Sequence, residues 1–300
     1  MPPMTTHPPA RPADRLMILA AAVLFSTGGV AVKACSLNGW QVAGLRSGIA
    51  AAALLILVPA ARRGWTWRTW LVGAAYAGTM ITFVIANKLT LAANAVFLQD
   101  TAPLYILLLG PILLGEPVRR RHLFFVVALA VGMAMFFVGL QPGSETAPDP
   151  FRGNLVGAGC GVFWALTILG LRWLGRRRHS SSPGSGAAAA VVCGNSVACL
   201  VALPFALPIR GAAPVDWAAV VFLGVFQIAV AYVFMVRGMS RVGALEASLL
   251  VLLEPILSPV WAWLAYGETP SAWGFGGGAV IIAATALLAV FGGEEKTATP

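Results

Sequence analysis

The chain has 300 residues, 59% of them hydrophobic and only 10% charged, with a mean hydropathy of +0.83. A soluble domain carries roughly a quarter charged residues, so most of this chain must face lipid or other apolar helices. The formal charge of +9 does not point to nucleic acid: the basic residues are arginines except for Lys33, Lys88 and Lys296, and they lie between apolar runs, where positive loops set orientation in a bilayer.

Residues 1–15, MPPMTTHPPARPADR, are Pro-rich and lack a small-residue cleavage site, which reads as a disordered cytoplasmic leader rather than a signal peptide. A membrane-crossing helix needs about 20 mainly apolar residues. Ten such runs follow, near 16–36, 41–60, 69–88, 91–114, 123–141, 154–174, 187–208, 217–236, 242–265 and 274–292. The Pro/Asp/Gly-rich segment 142–153 divides them into a first five-span unit, 16–141, and a second, 154–292, and 293–300 is a short cytoplasmic tail. With the N-terminus in the cytoplasm, fifteen basic residues fall on the inner side and four, Lys33, Lys88, Arg152 and Arg210, on the outer. Both termini are therefore expected inside and the 142–153 linker outside, in the periplasm.

Five is an odd number, so a repeated second unit enters the membrane from the opposite side. The sequence does repeat. A shift of 152 lays Ala92 on Ala244, Leu98 on Leu250, Pro103 on Pro255 and Gly115–Glu116 on Gly267–Glu268. The expected fold is an all-α integral membrane protein, ten transmembrane helices in two inverted-topology repeats of five. Matched Pro-interrupted spans are the sequence signature of a transporter's central site, and Pro103 and Pro255 are expected to kink spans four and nine.

Ionisable groups at membrane depth are functional candidates by default. Asp100 lies about 15 Å into span four at 1.5 Å per residue, and Glu254 lies at a similar depth in span nine, beside Pro255. The alternative for each is structural, either capping the interrupted backbone or pairing with Arg46. Glu246 sits near an interface, and Glu116 and Glu268 are expected to cap or anchor rather than touch substrate. Tyr76, Thr79, Phe83 and Asn87 recur at spacings of three and four in span three, as do Asn94, Phe97, Thr101 and Tyr105 in span four. Such faces point into a wet cavity or hydrogen-bond between helices. Trp164 and Gln227 are further candidates for lining it. The four cysteines read as packing residues, and no metal site or cofactor motif is present. Phosphate-cradling and hydrolase motifs are also missing, and His7, His122 and His179 lie in loops or the leader, which argues against an enzyme.

Two five-span halves, each with a Pro-containing helix followed by Gly-Glu, resemble the EamA-type drug/metabolite transporters. The resemblance runs from about Leu16 to Phe291 and is most specific in 86–116 and 246–268. It implies a multi-pass carrier of the bacterial inner membrane, often an exporter of amino acids or related metabolites. Its central cavity would be lined by spans three, four, eight and nine, near Tyr76, Thr79, Phe83, Asn94, Gln227 and Glu254. Phe25 stands where the family commonly has tryptophan, whereas Trp164 keeps it in the second half. Aromatic, amide and hydroxyl groups with few fixed charges suit a zwitterion or neutral polar metabolite better than a phosphate. The expected partners are that small-molecule substrate, the lipid bilayer and a coupling proton. A passive facilitator is the alternative.

Overall fold

The computed structural model describes residues 11–115, 120–176 and 185–293. The first ten residues of the leader, Glu116 and the tail from residue 294 lie outside that range. Every regular element among the described residues is helical. Among the described residues nine helices are long and apolar enough to cross a membrane, and His122–Val138 is a shorter apolar one.

Span one is α1 (Pro12–Ser26) and α2 (Gly28–Ala34), interrupted at Thr27. It starts four residues before the expected boundary because the Asp14 carboxylate accepts the Arg11 backbone N–H at 3.0 Å, supplying an N-terminal cap. Span two is α3 (Gly39–Leu57), opened by a capping box in which Asn38 and Gln41 satisfy each other's backbone N–H. Span three is α4 (Trp67–Leu89), capped the same way by Thr66 and Thr69. Span four is α5 (Ala92–Gln99) plus α6 (Ala102–Leu114), and α7 (Arg120–Val138) is the shorter fifth helix. In the second half come α8 (Pro150–Arg176) and α9 (Ser185–Ala206). Span eight is α10 (Pro214–Val221), a π-helix (Phe222–Val230) and α11 (Ala231–Met239). Span nine is α12 (Ala244–Val251) plus α13 (Leu253–Tyr266), and α14 (Ala272–Gly293) is last.

Contacts between the halves come in matched sets. Span one packs on spans eight and nine, through α1 with α11, α12 and α13, and α8 packs on spans three and four, through α4, α5 and α6. α3 packs on α9, and α7 on α14. At the α4–α9 crossing, a Cβ on Gly194 would stand 2.7 Å from the Gly73 carbonyl, so only a hydrogen there allows this approach. Large apolar side chains cover the outside, with Ile112 79% exposed, as a lipid-facing surface requires. Trp65, Trp67 and Trp70 collect at the start of α4, and the Arg68 guanidinium lies between the rings of Trp67 and Trp173 at 5.3 and 5.0 Å. That is the composition of a membrane–water interface.

Candidate functional site

The centre of the molecule is set by two backbone interruptions. Span four breaks at Asp100 and Thr101, whose ψ angles fall to 0 and −1°, and span nine breaks at Leu252, with ψ −9°. The shift of 152 that relates the two sequences carries Asp100 onto Leu252, so both breaks share one register. Pro103 and Pro255 stand in the first turn of α6 and α13, where a missing N–H has no helical acceptor to lose. The expected kinks are therefore breaks placed just before the prolines. Each span ends in a left-handed glycine, Gly115 at φ 66° and Gly267 at φ 65°.

The breaks leave helix N-termini inside the protein. Asp100 caps the end of α5 one residue before the N-cap of α6, and Glu254 is the second residue of α13, so both lie at the breaks, near the positive N-terminal ends of the second half-helices. Both are half-buried and lie within electrostatic reach of each other. Asp100 Oδ2 is enclosed without a hydrogen-bond partner, and neither group pairs with a lysine or arginine among the described residues. Arg46 makes its contacts elsewhere, with the Met80 carbonyl and the ring of Phe83.

Most of the other candidates join this centre. The Cys160 sulfur lies 3.6 Å from the Thr79 carbonyl and 3.4 Å from Oε1 of Gln99, either of which can accept its one S–H, and it is near both Arg46 and Asp100. Phe83 packs with Cys160. Gln227, held in the wide turns of the π-helix, lies against Gly28: a Cβ there would be 2.9 Å from Gln227 Nε2 and 3.5 Å from Phe83. Tyr76 lies beside Asn195 and packs in one cluster with Met80, Trp164 and Tyr232. Asn94 stands apart, its amide 3.4 Å from Thr90 Oγ1 and from Asn154 Oδ1 in a polar knot near the start of α5.

Asn195, Cys160 and Tyr232 were not among the sequence candidates. The signal for Asn195 was its being an amide in an otherwise apolar run. Its Oδ1 and that of Asn87, together with Gln227 Oε1, are buried without partners among the described residues. Among the described residues no three His, Cys, Asp or Glu side chains converge to hold a metal.

The two ends of the bundle differ. At one, Lys33 Nζ lies 2.9 Å from Glu268 Oε1, with both side chains almost fully enclosed (3% and 2% exposed). Lys33 also donates to the carbonyls of Thr90 and Thr146, and Glu268 Oε2 accepts the Ala92 N–H at 2.9 Å, capping α5. Here α13 packs on both α5 and α2. Beside this end the Cys35 thiol is pushed up to about 11 by burial, so it stays a neutral packing group. At the other end Arg15 meets Glu246 at 2.5 Å with side chains 48% and 41% exposed. Among the described residues, α6 and α12 make no contact there comparable to that of α5 with α13. A cavity of about 440 Å³ opens at that end between Leu71, Leu113, Leu114, Leu169 and Trp173. Its walls are apolar and hold none of the candidate residues.

The sequence profile of the EamA-like transporter family matches residues 15–138 and again 151–290. An uncharacterised transporter of Archaeoglobus fulgidus is 29% identical over 68% of this chain and 70% of its own length. The pseudopaline exporter CntI of Pseudomonas aeruginosa is 25% identical over 65% of each chain, slightly less than two thirds of its length. The aromatic amino acid exporter YddG of Ancylobacter novellus is 26% identical over 68% of this chain and 70% of its own. A crystal structure with 24% identity superimposes over 95% of this chain and all of its own, with a TM-score of 0.60, a likeness of fold. With nine membrane-length helices and a family profile that matches both halves, the chain belongs to the EamA-like transporter family.

Proposed function

We propose that this protein is a secondary transporter that exports a small polar or zwitterionic metabolite, an amino acid or close relative, by alternating access across a bacterial inner membrane. The observation that carries the reading is the pair of mid-span breaks. They hold two carboxylates that have no basic partner among the described residues, between one tightly sealed end and one loosely joined end. Carboxylates at membrane depth without a basic partner suit a cargo or a coupling proton. The family, and relatives named as exporters of pseudopaline and of aromatic amino acids, support the transport class and its direction.

In this reading the halves are inverted repeats with both termini in the cytoplasm, as the loop charges suggest. The two profile matches and the matched contacts between halves support that arrangement. Substrate enters from the Arg15 end and reaches Tyr76, Thr79, Phe83, Trp164 and Gln227. The Lys33–Glu268 end opens when the other closes, each half-helix swinging about its break at Asp100 or Leu252. A proton shared by Asp100 and Glu254 couples the cycle.

Proteoliposomes loaded with L-phenylalanine test this. The wild type should drive efflux against a concentration gradient when a proton gradient is imposed. Glu254→Gln should remain folded and lose the response to the proton gradient. Movement only down the gradient, indifferent to pH, would make the protein a facilitator.

A further inference from the structure

Span two buries a cation for which the coupling scheme has no use. Arg46 is 1% exposed in the middle of α3. A guanidinium offers five N–H donors. Nη2 lies 3.3 Å from the Met80 carbonyl and 3.4 Å from its sulfur, and the Phe83 ring lies 5.6 Å from Cζ. Nε and Nη1 have no partner among the described residues. Arginine stays charged when buried, and at membrane depth such a charge ordinarily pairs with a carboxylate or with backbone carbonyls.

Carboxylates are close by, yet they are not used. Asp100 and Glu254 sense each other, and Cys160 sits within reach of the charges of both Arg46 and Asp100. The Cys160 sulfur, 3.6 Å from the Thr79 carbonyl and 3.4 Å from Oε1 of Gln99, thus stands near both the Arg46 cation and the Asp100 carboxyl, which do not meet. A purely structural pair would close that gap. Keeping opposite charges separated and incompletely satisfied is what a ligand carrying both counter-charges needs, because it completes both sets of hydrogen bonds on arrival. Tyr76, Phe83 and Trp164 offer apolar and aromatic surface alongside.

We infer that Arg46 binds the carboxylate of the transported substrate while Asp100 and Glu254 receive its ammonium group, so that the cargo is an amino acid with an apolar body. The inference rests on the transporter reading and makes the site selective for zwitterions over amines.

Two measurements test it separately. In thermal unfolding of the detergent-purified full chain, benzoate and L-phenylalanine should raise the midpoint of the wild type, and phenethylamine, which lacks the carboxylate, should not. Arg46→Met should abolish both shifts, and Arg46→Lys should keep part of them. Among the described residues Arg46 has no carboxylate partner, so Arg46→Met strands no opposite charge and should fold. In proteoliposomes the same substitution should slow L-phenylalanine efflux by about tenfold or more, the usual effect of losing a charged hydrogen bond. No benzoate shift in the wild type, or equal shifts in Arg46→Met and wild type, overturns the anchor. A benzoate shift that depends on Arg46, with no L-phenylalanine efflux, keeps the anchor and overturns amino-acid export.

Discussion

The two ends of this bundle hold ion pairs of the same chemistry in opposite settings. Lys33 and Glu268 are enclosed, and each is also tied to backbone: Lys33 to two carbonyls, Glu268 to the N-terminus of α5. Arg15 and Glu246 meet in the open, bound to little besides each other. A buried pair is costly to disrupt from one side, because the remaining charge stays in a low-dielectric site. A surface pair is screened by water and salt. The same bond type therefore makes a lock at one end and a loose contact at the other, and burial is what decides.

The largest effect should come from breaking the lock. Lys33→Met should lower stability by about 3–5 kcal/mol, the range for removing one partner of a buried pair. Thermal unfolding followed by size-exclusion chromatography in detergent would read it. If the loss comes from the stranded carboxylate, Lys33→Met/Glu268→Gln should be less unstable than additivity predicts, by about 0.5–3 kcal/mol of coupling. Strictly additive losses would show that the two residues act independently.

The glycine caps sharpen the contrast, because Gly115 and Gly267 share one backbone conformation at opposite ends. Alanine at either should cost about 1 kcal/mol for its left-handed φ. Gly267→Ala should cost more, since Gly267 aims the adjacent Glu268 at Lys33 and Ala92. Equal losses would mean that the cap and the ion pair are uncoupled. The smallest effect belongs to the open end: Glu246→Gln should leave the unfolding midpoint unchanged in physiological salt.

Much of this architecture was legible as apolar runs of membrane length, since a helix crossing lipid can hide its backbone only within itself. The interruptions were legible as prolines, but their form was not. Pro103 and Pro255 suggested bent helices. In the first turn of a new helix, however, a proline terminates nothing and simply favours starting there. That distinction bears on where Asn94 lies. A stripe of Asn94, Phe97, Thr101 and Tyr105 assumes one continuous helical phase, and the break at Asp100–Thr101 resets it. Asn94 then meets Thr90 and Asn154, while the Tyr105 hydroxyl lies 3.4 Å from the Met133 sulfur. The π-helix around Gln227 left no trace in composition, because Phe222–Val230 reads as an ordinary apolar helical stretch of about two turns either way. Wide turns of this kind recur at functional sites. The carboxylates stand out in the sequence because their cost in a bilayer is independent of helical phase.

The enclosed ion pair has a consequence for how the protein is made. Lys33 emerges from the ribosome in the first span, and Glu268 follows about 235 residues later. At roughly 5–20 residues per second that is a wait of about 10–50 s. Throughout it Lys33 has no carboxylate partner, and the first residues of α5 lack the cap that Glu268 provides. The first half must therefore enter the membrane and persist there with one end unfinished, kept wet or shielded by insertion machinery, until the ninth span arrives to complete it. A stalled or truncated chain ending before residue 268 would carry an exposed lysine on a half-built bundle, a mark by which quality control could tell an incomplete protein from a finished one.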